Sequence, residues 1–325
     1  MTDSRAFNGP HAAVIERLRA GMASGVLSFP LTPFTVDGEL DLPAFRVHLR
    51  KQLAAGPGAI FPVCGTGEYF SLSEAEYGLL IRTAVEEADG QVPVVAGAGY
   101  GWAQASRFTA AAEQAGADAV LLLPPYLINA AQEGVVENVK QVAARTKLPL
   151  IVYQRAQVKF SIAAVRTLAD IPGVIGLKDG HSDLDHLQRI KLSAPADWLF
   201  FNGAATAEMQ VRQYSSIGIT AYSSAVHSFA PEIATAFFRA QRAGDDATVE
   251  TLLRDFYVPL VELRDRGTGY AVSLVKAAAT LRGEQVGPVR APLTTPTAAH
   301  LLELGELLDT GLKLVENLPV LAAVS

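Results

Sequence analysis

The stretch Ile171-Pro172-Gly173-Val174-Ile175-Gly176-Leu177-Lys178-Asp179-Gly180 decides how the rest of the chain reads. Its centre is an apolar run of Val, Ile and Leu, entered through Pro-Gly and left through Gly, which is the pattern of a buried strand. The run ends on a lysine. A charged amine at the end of an apolar strand loses hydration unless it is paired, and burial lowers a lysine pKa. A neutral lysine amine is a nucleophile, and with a carbonyl it gives a Schiff base. The same residue also fits a lysine paired with the neighbouring Asp179 or one that extends to solvent. The stretch alone leaves these alternatives open.

Outward from this strand the same unit recurs. Apolar runs at 26–29, 59–63, 93–96, 119–123, 150–153, 174–178, 198–202 and 218–222 predict eight strands, each followed by a segment with helical periodicity. The strands are continuous apolar runs, as expected when both faces of a sheet are covered. Local signals place two helix starts, Asp41 with Pro43 in the first turn and Ser73 with Glu76 as a capping box, and a further helix is expected from 183 to about 192. Eight βα units in series predict an α/β chain folded as a (β/α)8 TIM barrel over 25–244. Residues 1–24 form an N-terminal segment with a helix from 11 to 23. Residues 245–325 form a C-terminal helical extension, with helices expected at 246–264, 268–282 and 297–315. Residues 1–10 are polar and read as loosely held.

Composition narrows the function. The chain has 325 residues, half of them hydrophobic, and a net charge of −6 without basic clusters, which argues against nucleic acid as a partner. No apolar run has the length of a membrane span, and the N-terminus lacks an apolar signal core, so the expectation is a cytoplasmic protein with no membrane partner. One cysteine, Cys64, excludes an internal disulfide. Six scattered histidines show no metal-ligand spacing, and His181 and His186 read as part of a solvated loop and helix start, so no metal site is expected. Gly97-Ala98-Gly99-Tyr100-Gly101 approaches a dinucleotide fingerprint but meets Trp102 where the third glycine belongs.

In a barrel of this kind the site lies at the C-terminal ends of the strands. Residues collected there are Gly65, Thr66 and Gly67 after the second strand and Tyr153 at the end of the fifth. Lys178 ends the sixth, Asn202 and Gly203 the seventh, and Ser223 and Ser224 the eighth. The Gly65-Thr66-Gly67 turn presents backbone N–H groups and one hydroxyl, suited to a carboxylate or to a plain strand-to-helix turn. A tyrosine beside a Schiff-base lysine can shuttle protons; a core tyrosine bonded to backbone is the other reading. Cys64 reads as a small buried hydrophobe and Glu68 as a residue that holds the loop. Trp102 and Tyr126 wall the pocket or meet a second subunit.

With these residues assembled, the chain resembles the dihydrodipicolinate synthase / N-acetylneuraminate lyase family of class I Schiff-base lyases. The matching segments are Phe29-Pro30-Leu31-Thr32-Pro33-Phe34, Gly65-Thr66-Gly67-Glu68, Pro124-Pro125-Tyr126, Tyr153 and Gly176-Leu177-Lys178-Asp179. Further stretches resemble those members that dehydrate and decarboxylate a keto-sugar diacid: Gly25-Val26-Leu27-Ser28-Phe29-Pro30, Tyr222-Ser223-Ser224-Ala225-Val226, Gly269-Tyr270-Ala271-Val272-Ser273 and Gly287-Pro288-Val289-Arg290-Ala291-Pro292-Leu293-Thr294.

The resemblance implies Lys178 as the Schiff-base lysine, Tyr153 as its proton-transfer partner, and no metal or organic cofactor. It also implies a small-molecule keto-sugar diacid as the partner and a homo-oligomer, dimer or tetramer. Ser223, Ser224 and Asn202 are the candidates for the far carboxylate. A pyruvate-forming aldolase using the same lysine and tyrosine is the alternative, and a silent keto-acid-binding barrel a third reading. The chain departs from the synthase pattern at three places. Gly65 replaces one of two threonines, Leu127 stands where the synthase carries a second tyrosine, and 154–158 leave its substrate-binding arginine without an aligned counterpart.

Overall fold

The computed structural model describes residues 10–318, so the expectation for 1–9 and the last seven residues of the C-terminal extension lie outside the described residues. The eight strands are β1 (Leu27–Ser28), β2 (Ala59–Ile60), β3 (Val95–Ala98), β4 (Ala119–Leu122), β5 (Leu150–Gln154), β6 (Val174–Asp179), β7 (Leu199–Asn202) and β8 (Ala221–Ser224). All pairs are parallel, in the order β2-β1-β8-β7-β6-β5-β4-β3, and a parallel bridge from Ile60 to Val94 closes the ring. This is the (β/α)8 barrel that the recurring unit predicts.

Strand alternation divides each strand between two cores. Leu27, Phe61, Val95, Leu121, Ile151 and Phe201 fill the barrel interior, and Ile15, Leu18 and Met22 of α1 (Ala12–Ser24) pack into the same cluster. Ile60, Ala96, Val120, Val152 and Leu177 face the surrounding helices. In β6 the alternation is interrupted. Leu150 pairs with Val174 but Ile151 pairs with Gly176, so β6 carries one extra residue opposite β5. Such a bulge re-aims the residues beyond it.

The helices of the units are α2 (Leu42–Ala54), α3 (Glu74–Ala88), α4 (Trp102–Ala115), α5 (Gln132–Ala143), α6 (Ile162–Ala169), α7 (Leu184–Ser193), α8 (Val211–Ser216) and α9 (Pro231–Ala243). Two caps are those the sequence predicts: Asp41 accepts from the Ala44 N–H, and Ser73 and Glu76 form a capping box; Asp183, expected as the first residue of α7, is instead its cap and accepts from the His186 N–H. Beyond the barrel come α10 (Asp246–Leu252), α11 (Val258–Asp265), α12 (Tyr270–Leu281) and α13 (Ala298–Glu316). They share a second core with α9, built on Phe237, Phe256, Leu274 and Leu308. Among the described residues no helix is long and apolar enough to cross a membrane.

Three of the differences from expectation have a local reason. The eighth strand starts at Ala221 rather than at 218, because Gly218 sits at φ +75° in the turn that ends α8. The single helix expected from 205 is a 3-10 turn, Ala207–Gln210, followed by the short α8. The Asn202 side chain causes this by donating to the Ala207 carbonyl at 3.1 Å and accepting from the Ala204 N–H at 2.9 Å. The helix expected over 246–264 is unbroken along the chain but contains a π turn at Leu253–Tyr257. Pro259 follows it; a proline lacks the N–H and crowds the preceding turn, and a widened turn accommodates both.

Candidate active site

Strand β6 delivers two charged residues to opposite sides of the sheet. Asp179 is buried on the outer side. There it accepts hydrogen bonds from Gln154 Nε2 at 2.6 Å, from the Ser182 N–H at 3.0 Å and from the Tyr214 hydroxyl. It is therefore not the partner of Lys178. Lys178 points into the barrel mouth, where its side chain is only 6% exposed. Among the described residues no hydrogen-bond acceptor or carboxylate meets its Nζ. Instead the amine lies 4.1 Å from the Phe29 ring centre, 4.5 Å from that of Tyr153 and 5.5 Å from that of Phe201. Burial in this aromatic box disfavours the ammonium and lowers the Lys178 pKa to about 7, with the Arg155 charge acting in the same direction. A substantial free-amine fraction at neutral pH follows.

Tyr153 is the register partner of Lys178 on β5. Its hydroxyl donates to the Gly203 carbonyl at 3.0 Å and accepts from Arg155 Nη1 at 3.2 Å. Burial raises the phenol pKa, and the Arg155 charge opposes that rise. Gly203, after β7, makes room for the lysine: a Cβ there would stand 2.3 Å from Lys178 Cε. Cys64 lines the same cavity, but burial pushes its thiol up to about 12, which keeps it protonated and inert.

The cavity at the strand ends has a volume of about 340 Å³. Gly65 and Thr66 form part of its wall. No acceptor among the described residues meets their N–H groups or the Thr66 hydroxyl, so these donors are available to an anion. Val63, just before them, holds a left-handed backbone at φ +56°, a strained state for a β-branched residue. Glu68 secures the other end of the turn. It is fully buried, paired with Lys276 Nζ of α12 at 2.7 Å, and accepts from the Arg290 N–H at 2.9 Å. It holds the loop, as the sequence reading expects.

The remaining candidates divide. Ser223 lines the cavity and donates to the Asn202 carbonyl at 3.2 Å. Asn202 and Ser224 are buried and do not line it. The Asn202 amide is consumed by the loop it shapes, and Ser224 Oγ donates to Glu208 Oε1 at 2.5 Å while accepting from the His227 N–H. Gly67 is a packing residue of the turn, with its carbonyl accepting from Thr32 Oγ1 at 2.6 Å. His181 and His186 are half-buried rather than solvated; each ring bonds a carbonyl of the segment after β5, that of Val158 or Phe160 at 2.8 Å. Among the described residues no cluster of His, Cys, Asp or Glu is arranged to hold a metal ion. Trp102 and Tyr126 do not reach the cavity; Trp102 packs under the Arg145 guanidinium at 4.6 Å.

Two contributions to the wall escape the strand-by-strand reading. Ala271 and Val272, at the start of α12, close the cavity from the C-terminal extension. Arg155 enters from β5's continuation. Its signal was in the sequence: residues two apart on an extended chain point the same way, so Tyr153 facing the mouth carries Arg155 with it.

An eight-stranded barrel with a buried, unpaired lysine and a tyrosine side by side at its C-terminal rim defines a narrow class. The model of the dihydrodipicolinate synthetase family matches residues 22–310, and the chain belongs to that family. Among curated relatives, the chain is 66% identical over 304 residues to a Streptomyces avermitilis protein named probable 5-dehydro-4-deoxyglucarate dehydratase 2, covering 94% of this chain and 92% of the relative. It is 64% identical over 304 residues to the Streptomyces coelicolor protein of the same name, covering 94% of each. Among solved structures it is similar to dihydrodipicolinate synthase from Bacillus clausii, with a TM-score of 0.82, 26% identity, and coverage of 90% of this chain and 98% of that one.

Proposed function

We propose that the chain is a decarboxylating dehydratase that converts 5-dehydro-4-deoxy-D-glucarate to 2,5-dioxopentanoate, water and carbon dioxide through a Schiff base on Lys178. The observation that carries this reading is the free, aromatic-boxed amine of Lys178 beside the Tyr153 phenol. The names and identities of the Streptomyces relatives support the choice of substrate.

The reaction follows from one electron sink used twice. The neutral Lys178 amine attacks the C5 ketone and, with loss of water, gives a protonated Schiff base. The N–H groups of Gly65 and Thr66 hold the adjacent carboxylate. The Tyr153 phenol, fixed between the Gly203 carbonyl and Arg155, handles the proton leaving C4. The enamine so formed expels the C3 hydroxyl, which leaves as water on taking up the proton removed from C4. The conjugated iminium then accepts the electron pair of the C1–C2 bond as C1 departs as carbon dioxide. Reprotonation and hydrolysis free the product and the lysine, with one proton taken up overall. The iminium is itself the electron sink, so the sequence of steps calls for no metal or organic cofactor.

A homo-oligomer is part of the same reading. An exposed apolar strip of Tyr126, Leu127 and Ile128, each more than half exposed, supports a contact with a second copy. Light scattering on the purified chain tests that point.

A proton NMR time course with 5-dehydro-4-deoxy-D-glucarate and no added cofactor tests the activity. Appearance of 2,5-dioxopentanoate is expected. Pyruvate in its place would move the chain to the aldolases.

A further inference from the structure

Among the described residues lining the cavity, only Lys178 and Arg155 carry a basic group, and none carries a carboxylate. Most other arginines among the described residues, Arg46, Arg212 and Arg290 among them, are paired with Asp or Glu. Arg155 has no carboxylate partner there. Its Nη1 donates to the neutral Tyr153 hydroxyl at 3.2 Å, which leaves most of a five-donor guanidinium fork unspent beside the reacting centre.

The backbone that carries Arg155 is fixed. Residues 155 and 158 form an antiparallel bridge in a tight turn, with Ala156 in the left-handed region at φ +51°. His181 Nε2 bonds the Val158 carbonyl at 2.8 Å and ties the turn to the loop after β6. The free N–H groups of Gly65 and Thr66 come from the loop after β2, three strands away around the ring, so the two anion-seeking groups stand on different sides of the mouth.

We infer that Arg155 binds the far carboxylate of the substrate and thereby sets a preference for keto-sugar diacids over keto-sugar monoacids. The inference rests on the Schiff-base reading above, in which Lys178 engages the ketone and Gly65 and Thr66 the carboxylate beside it. Among the described residues that line the cavity, Arg155 is then the unpaired cation left for a second carboxylate. Arg155 is exposed to water at the mouth. A hydrated, single-sided contact orients a carboxylate without the deep ground-state stabilisation that would oppose its departure as neutral carbon dioxide.

The test measures borohydride-trapped adduct by intact mass over a range of concentrations of two keto acids. One is 5-dehydro-4-deoxy-D-glucarate. The other is 2-dehydro-3-deoxy-D-gluconate, which carries a hydroxymethyl group in place of the far carboxylate. Wild type, R155A and R155K are compared. In R155A the half-saturating concentration of the diacid is expected to rise about tenfold or more, and that of the monoacid by less than about twofold. R155K, which keeps the charge and loses the fork, is expected between the two. An equal rise for both keto acids in R155A would mean that Arg155 acts only through the Tyr153 phenol, and no rise for either would mean that it binds nothing; each overturns the inference. Absence of any adduct in the wild type is a separate outcome that removes the Schiff-base reading itself.

Discussion

Tyr153 and Lys178 are register partners on adjacent strands, and the Lys178 amine lies 4.5 Å from the centre of the Tyr153 ring. The extra residue in β6 allows this, because without it the strand's alternation would exchange the sides of Lys178 and Asp179. The register shift thus decides which of the two neighbours faces the mouth, the free amine, and which faces outward, the fully bonded carboxylate.

The phenol and the amine have separable tasks. Tyr153→Phe keeps the ring and removes the hydroxyl that bonds Gly203 and Arg155. Turnover is expected to fall about a hundredfold or more, as for loss of a proton-transfer group, while borohydride still traps the keto acid. Steady-state kinetics and trapping on the same preparation check both halves.

The lysine governs the pH dependence of activity. With its pKa lowered to about 7, the nucleophilic free amine is the minor form below that pH. The kcat/KM profile for the first, Schiff-base-forming step is expected to climb through pH 7 and level above it. A profile still climbing steeply at pH 9 would mean that Lys178 titrates as an ordinary lysine.

The same shift has a stability consequence of definite sign. The folded chain binds fewer protons at Lys178 than the unfolded chain between about pH 7 and the ordinary lysine value near 10.5, so stability rises with pH across that window. Lys178→Met removes the group and its desolvation penalty. The variant is expected to be more stable than wild type by roughly 4 kcal/mol near pH 7, the gap narrowing toward pH 10. Paired thermal melts at several pH values measure the gap directly, and other groups cancel in the difference.

Space beside the lysine is set by Gly203. Its Cβ in Gly203→Ala would fall 2.3 Å from Lys178 Cε and 2.6 Å from Cγ. The lysine must move, and activity is expected to drop at least about a hundredfold, in keeping with the sensitivity of catalysis to small misplacements. Circular dichroism close to that of wild type would separate displacement from unfolding.

The tether between loop and extension is a buried ion pair. Glu68 and Lys276 are 0% and 2% exposed. Glu68→Gln leaves a buried ammonium without its counter-charge and is expected to destabilise the fold by roughly 3 kcal/mol. Glu68→Gln combined with Lys276→Met is expected to recover part of the loss. Denaturant unfolding of the two variants checks the order.

Much of this was legible in the chain. The βα recurrence placed all eight strands because each strand of a covered parallel sheet is a continuous apolar run. The Asp41 and Ser73 caps were legible because capping is local chemistry. Lys178 and Tyr153 stand out in the sequence because each ends an apolar run, and the fold sets them side by side on one cavity. What stayed hidden depended on side-chain direction. Asn202 and Ser224 sit at strand ends like true wall residues, yet their polar atoms turn toward Ala207 and Glu208. Arg155 is hidden by the family pattern, which carries its arginine further along the chain; only its parity with Tyr153 marks it. Ala271 and Val272 reach the cavity only through the docking of α12, a long-range event that local periodicity does not encode.

Attachment of the substrate to Lys178 is the central claim, and peptide mapping tests it most directly. The protein is incubated with 5-dehydro-4-deoxy-D-glucarate, reduced with borohydride, digested and sequenced by mass spectrometry. The account predicts a reduced keto-acid adduct on Lys178 alone, absent from Lys178→Met. Turnover without any adduct, or an adduct carried by another lysine while Lys178 stays unmodified, would contradict it.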